Sequence, residues 1–555
     1  MEKKTLLAIL LSAAVWIVWF SFVAPPPDSE KIASSRVPEI EKNKETNSKN
    51  KSNSFSSQKT NLKISEPKSN NIAQDFSLET DKFKFTLSNK GAVIKSVFYK
   101  ERELNLDVKT NPFKAKGLFD FALHFNEYEF LAGNVLDETV WTFDKIDNYQ
   151  FKFFTDLYLD SQLIQIEKIY LFYENKYDFK LTYRFINKSK QAFLFKDKSV
   201  IISPTDILGP KLNYKNTYNH LSSIYSLGDD FNQIHKGGGF FSKESNPVGT
   251  KDGPISWVGV MSRYFLCLMV PEDFTGQKIG YDNRVGRGFR TGIYLNLESL
   301  QPQEHLQKSF KIYLGLKDKD TLTAVDKRIK EAADVSKWIE PIRWIVMWSL
   351  LSLNKIFGNL GWSLVVFSLL TKIIFMPLTI KSTNSMKKMQ SLSPKINELK
   401  KKYKDKPDVM QREIMKMYKE HKVNPMGGCF PMLLQMPFFF ALYSALINSI
   451  DLWQAPFMLW IKDLSMPDTI MTISGFNLNI LPIIMTGSTF LQQKLTTVDT
   501  GQGQQQKIMM MLMPLIFIFI FWNMPSGLVL YWTLQNLFQV AHQLYINKKK
   551  SQKEV

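Results

Sequence analysis

Three hydrophobic patterns follow one another along this chain. Residues 1–23 place a basic start, MEKK, before a continuous apolar run. The run exceeds a signal-peptide core, and Pro25, Pro26 and Pro27 follow Ala24 where a small-residue cleavage site is needed, so an uncleaved transmembrane anchor is expected. Residues 24–74 are rich in Lys, Asn, Ser and Glu and too poor in large apolar residues to offset ordering entropy. They read as a flexible linker. Period-two alternation then takes over. Tyr177, Phe179, Leu181, Tyr183 and Phe185 alternate with Asp178, Lys180, Thr182 and Arg184, which predicts a half-buried antiparallel strand. Similar runs recur between turn residues such as Asn89-Lys90-Gly91, so residues 75–336 form an all-β sandwich ending in a helix near 320–335.

The third pattern is long apolar blocks. Residues 337–360, with Trp338, Trp344 and Trp348, suit an amphipathic helix at a membrane interface. Transmembrane spans are expected at 361–383, 428–450, 478–495, 508–523 and 526–546. The last two are split by the turn chemistry of Asn523-Met-Pro-Ser-Gly527, because the whole stretch is too long for one crossing. Residues 384–424 read as a helical hairpin. One arm carries Met386, Met389, Leu392, Ile396, Leu399 and Tyr403, the turn is at Lys404–Asp408, and the return arm offers two candidate faces: Val409/Glu413/Met417/Glu420 or Met410/Ile414/Met417/His421. Its methionines also suit an adaptable surface for apolar partners.

Charge orients these blocks. Residues 381–422 hold thirteen Lys/Arg against five Asp/Glu, the tail 547–555 is basic, and 451–477 has one basic residue, Lys462. The positive-inside rule puts the hairpin and both termini in the cytoplasm, with the 451–477 loop and the β domain outside, in a periplasm-like space. Six crossings satisfy this. The net charge of +19 therefore signals topology and anionic lipid rather than nucleic acid.

One charge breaks the membrane pattern. Lys372 lies nine residues before Lys381, roughly 13 Å along a helix, inside an otherwise apolar run. A cation at that depth costs a few kcal/mol, so it marks a function or snorkels toward headgroups. Ser368 and Thr379 share its face, which favours a wet groove. Gln435, Gln492, Gln493, Ser444, Thr486, Ser488, Thr489, Thr533, Gln535 and Asn536 add polar atoms on other spans, either as interhelical hydrogen bonds or as lining of one hydrated cavity.

Enzyme signatures are absent. Six scattered histidines form no metal motif, no P-loop occurs, and Cys267 and Cys429 fall in different compartments. Gly286–Gly292 and Lys236–Gly239 read as turns or loops. No cofactor or metal is expected. Two other readings stay open: a transporter or channel using Lys372 as an anion site, and a sugar-active β domain.

Residues Asn424–Ile447, Gln454–Ser465, Gln506–Pro514 and Pro525–Asn536, in this order, resemble the YidC/Oxa/Alb family of membrane protein insertases, in the Gram-negative form with a large periplasmic domain. The resemblance implies six spans, the last five forming an insertase core, and a periplasmic β-supersandwich. It also implies a cationic groove open to the cytoplasm and the lipid. Groove residues would be Ser368, Thr371, Lys372, Gln435, Gln493, Trp532 and Asn536. A substrate slide along 430–446 and 508–522 would include Met436, Pro437 and Met513. The family usually has arginine where Lys372 stands, so charge is kept and the bidentate fork lost. Implied partners are nascent membrane proteins, the Sec translocon, the ribosome and the lipid bilayer.

Overall fold

A computed structural model describes residues 64–65 and 72–551, less 107–119, 126–129, 131–134, 196–199, 206–207, 210–220, 235–247, 283–289, 334–338, 404–405, 422, 424–429, 474–475 and 497–503. The expected anchor 1–23, most of the linker 24–74, Trp338, Cys429, Gly286 and the Lys236–Gly239 loop therefore lie outside the described residues. The chain divides into two compact units, Met1–Asp334 and Val335–Val555.

The first unit is β-rich. A fourteen-stranded antiparallel sheet has at its centre the neighbours Gln150–Leu159, Gln162–Leu171, Asp178–Asn187, His305–Leu316, Phe265–Pro271 and Val248–Met261. The 14-residue strand Val248–Met261 has three neighbours, Ser222–Leu227 among them, and divides its length between the other two. Its first half pairs with Gly276–Asp282 and its second with Phe265–Pro271, and the register shifts between Asp252 and Ile255. Gly253 sits at that shift with φ +142°, a conformation that side-chain-bearing residues rarely adopt. A four-stranded sheet built from Asp75–Glu79, Phe83–Ser88, Val93–Tyr99 and Leu104–Asn105 packs against the large one. Phe85 meets Phe172 at 4.7 Å between ring centroids and Phe179 at 6.0 Å.

In the strand Asp178–Asn187, Phe179, Leu181, Tyr183 and Phe185 are buried as the alternation predicts. The opposite face is less open than a half-buried strand implies: Asp178 and Thr182 are buried too. Polar groups from distant strands cover it, with Thr182 Oγ1 3.3 Å from Ser309 Oγ, and Lys180 and Arg184 paired with Glu272 and Glu167. The helical stretch expected near 320–335 is two pieces, α1 (Lys319–Val325) and a 3₁₀ segment, Lys327–Ala333. The break falls at Asp326, which is extended and whose carboxylate accepts from the Arg328 backbone N–H and guanidinium.

Within the sandwich Lys168 is buried. Its Nζ donates to the Asp120 carbonyl at 2.9 Å, with the Gly91 and Ala92 carbonyls at 3.4 Å, between the faces of Trp141 and Tyr183. Burial pushes its pKa down to about 8, opposed by the charges of Asp120 and Asp137. A lysine there links the sheet carrying Gly91 and Ala92 to the strand carrying residue 168.

The second unit is helical: α2 (Glu340–Phe357), α3 (Leu360–Ser391), α4 (Ser393–Lys402), α5 (Pro407–Glu420), α6 (Phe430–Asn448), α7 (Leu481–Thr496), α8 (Gln504–Phe521) and α9 (Ser526–Ser551). Among the described residues one helix, over Leu360–Met389 of α3, is long and apolar enough to cross a bilayer by length and composition. Helix α2 buries Val346 and Leu350 and exposes Trp344 and Trp348, which stack on each other.

Three element boundaries differ from those read in the sequence. Helix α3 continues to Ser391, well past residue 383, because Pro377 is its only proline and the polar run after Lys381 holds good helix formers. Pro407 lies in the first turn of α5 instead of ending a loop at 408, as its fixed φ and missing N–H favour. The helix expected from 478 begins at Leu481, since Thr469–Ile473 and Phe476–Asn479 pair as a β-hairpin in the stretch expected to be loop. Cross-strand side-chain bonds, Thr469 to Asn479 at 2.7 Å and Thr472 to Asn477 at 2.8 Å, set its register.

Asp468 anchors the hairpin. One buried carboxylate oxygen accepts from the N–H groups of Ile480 (3.1 Å) and Leu481 (2.6 Å) at the start of α7, and from Trp460 Nε1 (2.9 Å). Asp468→Ala removes all three acceptor contacts and leaves buried donors unpaired. We expect a loss of about 2–4 kcal/mol of local stability, read as faster hydrogen exchange of the Ile480 and Leu481 amides; unchanged exchange would refute the anchoring.

The hairpin arms meet through Leu392, Ile396, Met417, Tyr418 and Val423, flanked by Met389, Leu399 and Ile414. Of the two faces offered for the return arm, the one holding Ile414 and Met417 packs, with Tyr418 beside it. Its His421 lies 3.4 Å from Lys395.

Candidate functional site: a polar seam between α3, α7 and α9

Helix α9 brings polar side chains at spacings of three and four residues against two others. Gln535 Nε2 donates to the Ser368 carbonyl (2.8 Å) and to Thr371 Oγ1 (3.0 Å) on α3. Asn536 Nδ2 donates to Ser488 Oγ (3.1 Å) and Thr489 Oγ1 (2.8 Å) on α7. One turn further, Gln539 Oε1 accepts from Lys372 Nζ at 2.7 Å. Lys372 is only 8% exposed, so its ammonium is held inside the bundle and does not hang from the helix surface. Its chain neighbours Ile373 and Ile374 are exposed on the other side of α3, at 52% and 69%, giving that helix one polar and one apolar face.

The seam therefore gathers Ser368, Thr371, Lys372, Ser488, Thr489, Gln535 and Asn536, seven of the residues singled out in the sequence. Gln539 was not among them, and neither were His542 and Gln543, which continue the same face of α9 at i+3 and i+4. The signal was available in the three- and four-residue steps from Gln535. Among the described residues Gln535 Oε1 and His542 Nδ1 are buried with no hydrogen-bond partner. Buried acceptors of that kind cost free energy unless water or a guest supplies a donor.

The remaining candidates lie elsewhere. Trp532 belongs to an aromatic cluster, with ring centroids 5.3 Å from Phe439, 5.4 Å from Phe521 and 5.9 Å from Phe517. Phe375 of α3 meets Phe438 of α6 at 5.2 Å. Gln435, Met436 and Pro437 are half-buried on α6; among the described residues no hydrogen bond ties Gln435 to the seam. Gln493 is half-buried on α7. Met513 lies on α8, and its side chain is outside the described residues. Thr486 and Thr533 each donate to a carbonyl of the preceding turn, which satisfies them within their own helices.

Residues 352–553 match the family model described as 60Kd inner membrane protein, and residues 75–348 the one described as YidC periplasmic domain. The chain is 31% identical over 570 residues to the membrane protein insertase YidC of Syntrophus aciditrophicus (strain SB), covering 99% of this chain and 100% of that one. It is 38% identical to the namesake from Geotalea daltonii over 54% of each chain. A crystal structure of an active YidC insertase with its first transmembrane domain resolved aligns over 87% of this chain and 94% of its own, at 17% identity and a TM-score of 0.36. The two family models and the curated relatives define the class, an inner-membrane protein carrying a periplasmic β-rich domain. The chain belongs to the YidC family of membrane protein insertases.

Proposed function

We propose that this chain inserts membrane proteins, and assists their folding, by admitting the short polar flank of an incoming chain to the seam between α3, α7 and α9. The observation that carries the reading is the buried Lys372 ammonium held by Gln539 beside the unpaired Gln535 oxygen. A cation kept among polar side chains attracts an acidic or carbonyl-rich segment, and water in the seam shortens the hydrocarbon path that segment must cross. The aromatic cluster around Trp532, with Met436 and the exposed apolar residues of α8, offers a greasy face to the substrate's own span. Burial of that span in lipid, worth about 25 cal/mol per Å² of apolar surface, drives the transfer.

In this reading α3 and α6–α9 are five crossings and residues 1–23 a sixth. Both termini and the α4–α5 hairpin lie in the cytoplasm, where the hairpin receives the nascent chain from the ribosome, with the Sec translocon as a partner for longer substrates. No step is a covalent reaction, so no catalytic residue is assigned.

Photo-crosslinkers at 372, 436 and 532 test it against a stalled nascent membrane protein. Adducts from all three positions are expected. Adducts from none of them, with the same probe reactive on the α4–α5 hairpin, would rule the seam out as the entry path.

A further inference from the structure

The end of the helical unit opposite the basic hairpin is built with unusual apolar exposure. On the β-hairpin, Ile470, Met471, Ile473 and Phe476 are 45%, 50%, 59% and 60% exposed. No Asp, Glu, Lys or Arg occurs from Thr469 to Gln493. A second turn beside it exposes Leu459 to 81%, with Leu459 itself in the left-handed region at φ +57°, a strained way to present a leucine. Both turns are fixed to the helix ends. Trp460 Nε1 donates to the anchoring Asp468, Trp522 Nε1 donates to the Asn477 carbonyl at 3.1 Å, and the Phe476 ring lies 5.3 Å from Trp522. The Met466 and Leu464 carbonyls accept from the first N–H groups of α9, Ser526 and Gly527.

A water-facing loop carries charge and hides its large apolar side chains; a protein-docking patch normally has a polar, charged rim. Neither holds for the hairpin. Uncharged, apolar and anchored by an indole whose N–H is already satisfied, it has the chemistry of a segment seated at the headgroup–acyl boundary. We propose that the 469–479 hairpin and the Leu459 turn form a rim that sits about 5–10 Å into the outer leaflet around the mouth of the helical unit, with phospholipid as its occupant. This rests on the spanning orientation given under Proposed function. The rim fixes the depth of the helix ends in the bilayer and puts lipid, not protein, beside the outer end of the seam.

The test uses the full-length protein in phosphatidylcholine/phosphatidylglycerol vesicles, with a small fluorescent amino acid at 473 or, in a second variant, at 476. A third reporter at Ile374, on the exposed face of α3, reads the spanning orientation independently. Brominated phospholipid is expected to reduce the signal at 473 and 476 about twofold or more, while aqueous iodide leaves it nearly unchanged. Quenching by iodide, or shielding from both quenchers as under a covering protein, would overturn the rim. If bromolipid quenches at 374 but not at 473 or 476, the rim fails and the orientation stands. If 374 is not quenched either, both fail.

Discussion

Lys372→Glu is expected to cut insertion of a short, Sec-independent membrane protein tenfold or more, about 1.4 kcal/mol or beyond, while Lys372→Arg stays within about twofold of the wild-type rate. Glutamate would set a carboxylate against Gln539 Oε1, the oxygen that now accepts from the ammonium, and would turn attraction for an acidic flank into repulsion. Arginine keeps the charge and can still donate to Gln539. Lys372→Gln separates the two contributions, because it preserves a hydrogen bond at the seam and removes the cation. If charge is what draws the substrate, the glutamine variant falls between the other two and loses most on substrates with acidic flanks. Insertion measured in vesicles containing equal amounts of each variant decides this. Equal rates for glutamate, glutamine and arginine would eliminate the charge mechanism while leaving the family assignment untouched.

The second large effect belongs to the β-rich unit. Lys168→Ala is expected to destabilise it by about 2–4 kcal/mol, since the change empties a packed site between Trp141 and Tyr183 and removes the ammonium donor from the Asp120, Gly91 and Ala92 carbonyls, of which Ala92 keeps the Tyr170 hydroxyl. The pH dependence has a definite sign. The folded protein keeps the Lys168 proton only up to about pH 8, against 10.5 for a free lysine. From about pH 8 to 10.5 the unfolded chain therefore binds more protons than the folded one, and the contribution of this group to stability rises with pH. Below about pH 8 the amine is charged in both states, and the cost of burying it is constant. Subtracting the profile of Lys168→Met from that of the wild type isolates this residue from the many exposed lysines. The difference should climb between pH 8 and 10 in thermal unfolding followed by near-ultraviolet circular dichroism. A flat difference would mean that the amine is not desolvated.

What the sequence revealed, and what it hid, follows from the reach of each signal. The inward face of Asp178–Asn187 was legible because alternation is local. The cover on its other face was not, because Ser309 and Gln307 come from more than a hundred residues away. Lys372 stood out by contrast with its apolar surroundings. Its partner Gln539 did not, since one more glutamine on a helix already holding Gln535 and Asn536 is unremarkable until the neighbouring helix is placed beside it. Periodicity left two faces open for α5 because both repeat every three to four residues; packing against Leu392 and Ile396 chose between them. The β-hairpin before α7 was read as loop although Ser474-Gly475 between two apolar runs is hairpin punctuation, a signal outweighed by the expectation of a span starting at 478.

Helix α3 has a mechanical consequence. The same uninterrupted rod carries Lys372 and the Met389 that packs into the α4–α5 hairpin; Ser391, its last residue, lies nineteen positions and about 28 Å beyond the lysine. Any displacement of those arms is delivered to the ammonium without crossing a loop. Pro377, five residues past Lys372, removes one rung of the ladder and makes the rod most compliant next to its charge. Motion at the hairpin end of the rod can thus bear directly on the Lys372–Gln539 hydrogen bond at the other.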